Sequence, residues 1–167
     1  MASPEPIPIA VEVGGREAVL LRWGPRPSAE DAESAWRLDS EPDWRLLDSI
    51  RLVSAQFDDG AALGVAALRP SDARGHGDDV LIARFVDTDG EETATSDVLV
   101  SVEYGADGAP QRLGLELWVD PESPPMRVAA NRADADTGAG RARQAVPMRF
   151  RLDGTEGAGL YETVRPA

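Results

Sequence analysis

Glu162 stands in the stretch Gly-Leu-Tyr-Glu-Thr-Val at 159–164. In an extended chain alternate side chains share a face, so Glu162 falls with Leu160 and Val164. A carboxyl group on an inward apolar face needs a hydrogen-bonding partner or stays protonated, and a desolvated carboxyl is a usable general acid. The chain has no lysine, so the available partners are an arginine or a hydroxyl such as that of Tyr104. An arginine would make Glu162 a base or half of a structural ion pair; a hydroxyl would leave it a neutral proton donor. The expectation is a Glu162 that faces a barrel interior near Trp23 or Trp44, with a strand-end glutamate in water as the alternative.

Arg22-Trp23-Gly24-Pro25-Arg26 combines two guanidinium groups, an indole and turn formers. Such a segment can frame a ligand mouth through cation–π contact and hydrogen bonding, or form a barrel-closing Trp–Arg stack. Trp36, Trp44 and Trp118 are large apolar surfaces that pack a core or line a pocket. His76 lies between glycines in Arg-Gly-His-Gly-Asp-Asp, close in sequence to Asp78 and Asp79, and is expected in a solvent-exposed loop. The acidic turns around Asp58-Asp59 and Asp87-Thr-Asp-Gly-Glu-Glu92 lack the twelve-residue pattern of a calcium loop and are expected to be solvated hairpin turns.

Absences narrow the chemistry further. There is no cysteine, hence no thiolate nucleophile, disulfide or thiolate metal site. Without lysine there is no Schiff base and no Walker-type phosphate loop. A single histidine does not build a multi-histidine metal site. A net charge of −13 over 167 residues, with 30 acids against 17 bases, repels nucleic acid and anionic membrane surfaces. No apolar run reaches the roughly 20 residues that span a bilayer, and the start Met-Ala-Ser-Pro-Glu-Pro-Ile-Pro has neither a basic nor an apolar leader region. A cytoplasmic protein is expected, with no nucleic-acid partner and no membrane insertion, for which a homodimer remains open.

The elements that position these residues are strands. Residues 97–104 put Val98, Val100, Val102 and Tyr104 on one face; 111–119 do so with Leu113, Leu115, Leu117 and Val119; 145–152 with Val146, Met148, Phe150 and Leu152. A two-residue period interrupted by Asp-Gly turns is that of half-buried antiparallel strands. Further strands are expected at 7–13, 17–23, 44–57 (bent), 61–69, 80–86, 125–130 and 159–164. That makes nine or ten strands in one all-β domain over 1–167, a single antiparallel β-barrel or, alternatively, a β-sandwich. Residues 1–6 are expected to be disordered. One short helix or turn is expected at 28–37, capped by Ser28, and mobile loops at 70–79 and 133–140.

Three stretches, in order, resemble the hydroxyneurosporene-synthase/AttH-like family. Arg22-Trp-Gly-Pro-Arg26 is similar to its R-x-x-S-W-G-x-R segment. Asp43-Trp44 through Phe57-Asp-Asp-Gly60 is similar to its W…F-x-D-G strand and turn. Gly154-Thr-Glu-Gly-Ala-Gly-Leu-Tyr-Glu162 is similar to its terminal G-x-x-G-x-G-x-x-E. The resemblance spans roughly 17–164. It implies a lipocalin-like barrel, usually one of two in tandem, with this chain resembling a lone second barrel. It also implies chemistry on apolar natural products, as in carotenoid hydratases and related cyclases. The matched positions are Arg22, Trp23, Arg26 and Glu162. Val19-Leu-Leu21 replaces the acidic and histidine residues that often precede the Ser-Trp.

The expected function is therefore a small lipocalin-like barrel that binds a hydrophobic, isoprenoid- or polyketide-like small molecule. Its catalytic version is a hydratase, cyclase or isomerase without cofactor or metal. Glu162 would supply the proton, and Arg22, Trp23, Arg26, Trp36, Trp44 and Tyr104 would surround the ligand, the indoles facing cationic carbon. The alternatives are a carrier without catalysis and a β-sandwich interaction module. On this reading purified protein carries less than stoichiometric zinc or iron by elemental analysis. A stoichiometric metal whose removal by chelator abolishes function would overturn it.

Overall fold

The computed structural model describes residues 7–24, 35–120, 122–133, 138–139 and 143–166. Among them thirteen strands form two antiparallel sheets. The smaller sheet holds β1 (Ile7–Val13), β2 (Arg16–Trp23) and β3 (Trp36–Leu38). The larger contains β4 (Leu47–Phe57), β5 (Ala62–Pro70), β6 (Val80–Val86), β7 (Glu92–Thr95), β8 (Val98–Tyr104), β9 (Pro110–Leu117), β10 (Met126–Arg132), β11 (Gly138–Ala139), β12 (Arg143–Leu152) and β13 (Thr155–Val164). Its strand order is β7-β6-β5-β4-β13-β12-β10-β9-β8, with β11 beside β12.

The large sheet curls. Val53, Val65, Ala83, Val98, Leu115, Val128, Met148 and Tyr161 come from strands spread across it, yet pack into one apolar cluster. Side chains of strands so far apart in the sheet meet only if it bends around them. The result is a lipocalin-like half-barrel, in which β6 approaches β8 across an open seam instead of pairing with it.

The opposite, outer face carries a second cluster. Ile50 and Leu52 of β4, Ala66 and Leu68 of β5 and Val164 of β13 pack against Val11, Val19, Leu21, Trp23 and Trp36 of the small sheet. Strand β5 is buried along almost its whole length, so both of its faces need cover. The outer face of β8–β12 needs none, because Ser101, Glu103, Arg112, Arg127, Arg149 and Arg151 point there into water.

Several expectations change. The strands exceed nine or ten because β3, β7 and β11 are short and lack a full period of alternation. The helix expected at 28–37 lies mostly outside the described residues. Its described end is strand: Trp36 and Arg37 pair with Trp23 and Arg22. The bent strand expected from residue 44 begins at Leu47, after a turn, and shifts register between Leu47 and Ser49. The last strand starts at Thr155, four residues early, because Gly157 and Gly159 hide its period.

Gly64 marks where the layers touch. A Cβ added there would lie 2.0 Å from Trp23 Nε1. Gly64→Ala should therefore cost about 1–3 kcal/mol through overpacking. Gly114→Ala, whose Cβ would meet only Ser101 Cβ at 3.9 Å, should be close to neutral. Urea midpoints of the two variants check this.

Candidate functional site

The large sheet distributes the candidate residues between its two faces. Glu162 pairs in register with Leu52 of β4 and Ala145 of β12, so its side chain shares the outer face with Leu52. It points away from the interior of the curl, under the small sheet, and is only 3% exposed. Its partner is an arginine. Arg143 Nε donates to Glu162 Oε2 at 2.6 Å, and Arg143 Nη2 donates to the carbonyl of Trp36 at 3.3 Å. One guanidinium thus ties β13 to β3 across the two layers.

Trp23 and Trp36 complete this inter-layer region. Their ring centroids are 6.3 Å apart at 55°. Trp36 Nε1 donates to the Val53 carbonyl at 3.1 Å, and the Ala35 N–H donates to Ser54 Oγ at 2.9 Å. Among the described residues, three buried polar atoms on this face have no hydrogen-bond partner: Trp23 Nε1, Arg84 Nε and Glu162 Oε1. Arg84 pairs with Gly64, directly under the Trp23 indole.

The other expected residues are dispersed. Arg22 forms an ion pair with Asp39 at the surface. Trp44 packs half-buried against the outer cluster and donates to Glu41 Oε1 at 3.2 Å. Arg26 lies outside the described residues. Tyr104 is on the opposite side of the sheet, in the inward row of β8 with Val98, Val100 and Val102. The structure thus links Glu162 to the Trp36 carbonyl through Arg143, with the Trp23 ring beside that of Trp36, and separates this side of the sheet from Tyr104 by its thickness. His76 opens a single 3-10 turn, His76–Asp78, within the loop before β6.

Tyr104 belongs to a polar group that sequence reasoning missed. Its hydroxyl lies 3.2 Å from that of Tyr161. Tyr161 is also hydrogen-bonded by the Arg51 guanidinium. Arg51 Nη2 in turn donates to Asp79 Oδ2 at 2.9 Å. These four residues come from β8, β13, β4 and the segment entering β6, so they gather only when the sheet curls. Arg51 and Asp79 gave no periodic signal. Tyr161 was hidden beside Glu162, although its parity with Gly157 and Gly159 places it inward.

Burial pushes the Tyr161 phenol well above its usual range, helped by its hydrogen bond with Tyr104 and opposed by the charge of Arg51. Arg51 is itself raised: burial acts to lower it, and Tyr161 and Asp79 outweigh that. Among the described residues no group of three or more His, Cys, Asp or Glu side chains is arranged to hold a metal ion.

The seam completes the geometry. Apolar inner-face residues in the middle of β4, β5, β9 and β12 are buried, whereas Leu81 and Phe85 of β6, Val100 and Val102 of β8, Met126 of β10 and Leu152 of β12 are only partly covered. Val100 and Val102 lie on the edge strand β8 and Leu81 on the part of β6 that β7 does not pair, where the curl stays open; Phe85 lies further along β6, beside β7. The tyrosine–arginine group adjoins them at the end of β8 and the start of β6.

No protein-family model and no characterised protein matches this chain by sequence. Solved structures do match its shape. A protein described as an AttH candidate from Nitrosomonas europaea superposes with a TM-score of 0.56 at 22% identity, over 89% of this chain and 51% of that one. Kievitone hydratase from Nectria haematococca superposes with a TM-score of 0.52 at 10% identity, over 96% of this chain and 50% of that one. At these identities the likeness is one of fold. The chain spans about half the length of each structure.

Two outcomes follow from these contacts. Because its phenol is raised on folding, Tyr161 contributes stability that is present below the unfolded value near pH 10 and lost as pH rises beyond it. Absorbance at 295 nm at pH 11 should therefore show Tyr161 un-ionised in folded protein and ionised once it is unfolded. Tyr161→Phe should flatten the alkaline fall in stability. Separately, Glu162→Gln weakens a charge-assisted bond on a half-covered guanidinium and should cost about 1–3 kcal/mol. An unchanged melting point would remove the clamp role from Glu162.

Proposed function

We propose that this domain binds an apolar small molecule, of isoprenoid or polyketide size, along the open seam of its half-barrel. The observation that carries this reading is the pattern of partial cover. Leu81, Phe85, Val100 and Val102 are half-buried on the two strands that approach each other across the seam, beside a buried middle of the inner face, and one hydrogen-bonding group stands at its end. An apolar strip with a few convergent polar groups is the usual character of a small-molecule site. Kievitone hydratase and the AttH candidate share the fold, and the hydratase's name speaks for a small-molecule site on it, which supports a ligand site of this kind without naming its ligand.

The non-catalytic form of this function is a carrier. The catalytic form is a hydratase, cyclase or isomerase that works by proton transfer. Two different carboxylates bear on that choice. Glu162 is engaged by Arg143, which also holds the Trp36 carbonyl, on the far side of the sheet. Asp79 is at the seam end but is engaged by Arg51. Tyr161, raised by burial, is a weak acid suited to donating a hydrogen bond and ill suited to protonating a carbon–carbon double bond. These pairings favour ligand holding over alkene protonation. If Glu162 is nonetheless the proton donor, Glu162→Gln abolishes turnover of a polyene or prenylated phenol at unchanged affinity.

The reading is tested by titrating the protein with β-farnesene and following heat or displacement of an environment-sensitive dye. Saturable micromolar binding is expected. Val102→Glu, which places a charge on the seam, should weaken it at least tenfold at an unchanged melting point. Absence of saturable binding to any apolar probe of this size would sink the proposal.

A further inference from the structure

From the directions of the hydrogen bonds at the seam end, we infer that the site selects ligands bearing a hydrogen-bond acceptor, a carbonyl or phenolate oxygen, received by the Tyr104 hydroxyl. This rests on the seam being the ligand site.

The argument follows the protons. Arg51 has only donors; Asp79 takes one of them at 2.9 Å, and the Tyr161 oxygen takes another. Tyr161 therefore already accepts. Its own O–H must go elsewhere, and the Tyr104 oxygen at 3.2 Å is the acceptor in reach among the described residues. The reverse arrangement, with Tyr104 donating inward, would leave the O–H of a side chain only 2% exposed with no acceptor. The chain of donors is thus ordered Arg51 to Tyr161 to Tyr104, with Asp79 anchoring its start.

The end of this chain is Tyr104. Its oxygen is occupied by Tyr161, and among the described residues its proton has no acceptor. The residue is 53% exposed, one of two large apolar side chains left open among the described residues, and the other, Leu99, is on the opposite face of the same strand. A phenol whose oxygen receives a hydrogen bond is a stronger donor, because such bonds polarise one another. Arg51 and Asp79 cancel in charge, so the site offers a directed neutral donor instead of a net positive field. It therefore distinguishes acceptor from donor more than anion from neutral. An isoprenoid ketone or a prenylated phenolate would be held; a hydrocarbon of the same length would lose that bond, and an ammonium would meet a donor it does not satisfy.

The test compares geranylacetone, whose ketone only accepts, with β-farnesene, a hydrocarbon of similar size, and geranylamine in its protonated form. Wild type should bind geranylacetone about fivefold more tightly than β-farnesene, as one net hydrogen bond provides, and geranylamine most weakly at 0.15 M salt. Tyr104→Phe should erase the ketone preference, so that geranylacetone and β-farnesene bind alike, and should lower the melting point modestly, because the buried Tyr161 O–H loses its acceptor. Tyr161→Phe, which removes the bond that orders Tyr104, should reduce the preference to about twofold. Equal affinity for ketone and hydrocarbon in wild type, or a preference that survives Tyr104→Phe, overturns the acceptor inference while the seam reading stands. Failure of β-farnesene and geranylacetone alike overturns both.

Discussion

The architecture depends on the burial of both faces of the central strands. Strand β5 is covered along nearly its full length, β4 over most of its length and β13 over the half that starts at Gly159. A sheet that is apolar on one side can stand as half of a sandwich or close into a barrel. One that is apolar on both sides at its centre requires two covers. Here the sheet supplies one cover itself, by curling until β9, β10 and β12 lie over β4 and β5. The small sheet β1–β3 supplies the other. The curl and the added layer answer the same demand. Where the outer face turns polar, from β8 to β12, the added layer stops.

That division places the ionisable groups. The Arg143–Glu162 pair lies between the layers, and the arginine also holds the Trp36 carbonyl. A buried charge costs several kcal/mol unless paired, and the pair is sensitive to position. It fixes β3 against β13 at one register more than it adds net stability. The Arg51–Asp79 pair lies on the other face, where the curl opens, and orients two phenols. The two arginine–carboxylate pairs are chemically alike. They differ in what they hold: the first a backbone carbonyl, the second a chain of hydroxyls that ends in solvent.

The strands that alternate cleanly were legible. Val98 to Tyr104, Leu113 to Leu117 and Val146 to Leu152 each show a strict two-residue period, because one side of β8, β9 and β12 faces the core and the other faces water. The all-β class follows from them and from the Asp-Gly turns, one of which holds Asp153 and Gly154 at positive φ; the alternation left barrel and sandwich open, and the lipocalin-like form was what the family resemblance implied. The candidate site was half legible. The apolar neighbours of Glu162 and the missing lysine narrowed its partner, if buried, to an arginine or a hydroxyl, without choosing between them. Which face it would occupy did not follow, since Leu160, Glu162 and Val164 lie beneath a second layer that the alternation does not reveal. Arg51 and Asp79 are joined through a curled sheet, and such non-local pairing leaves no spacing to read.

Tyr161 and Glu162 are adjacent, and a strand sends neighbours to opposite faces. A shift of one residue in the pairing of β13 with β4 would exchange them, putting the carboxylate at the seam and the phenol between the layers. The glycines of the terminal motif prevent it. Gly157 lies against the Gln56 carbonyl and the Phe57 ring, where an added Cβ would come within 2.6 Å and 2.8 Å. Gly159 lies against the Ser54 carbonyl, where it would come within 1.8 Å. Slipping the strand by one would bring Ala158 and Leu160 to those places, and neither fits. The contact is with backbone, which does not move aside as a flexible side chain does. The spacing of glycines, tyrosine and glutamate in Gly-Ala-Gly-Leu-Tyr-Glu is therefore one physical device. Its first half sets the register, and its second half, given that register, sends a phenol to the open seam and a carboxylate to the closed layer.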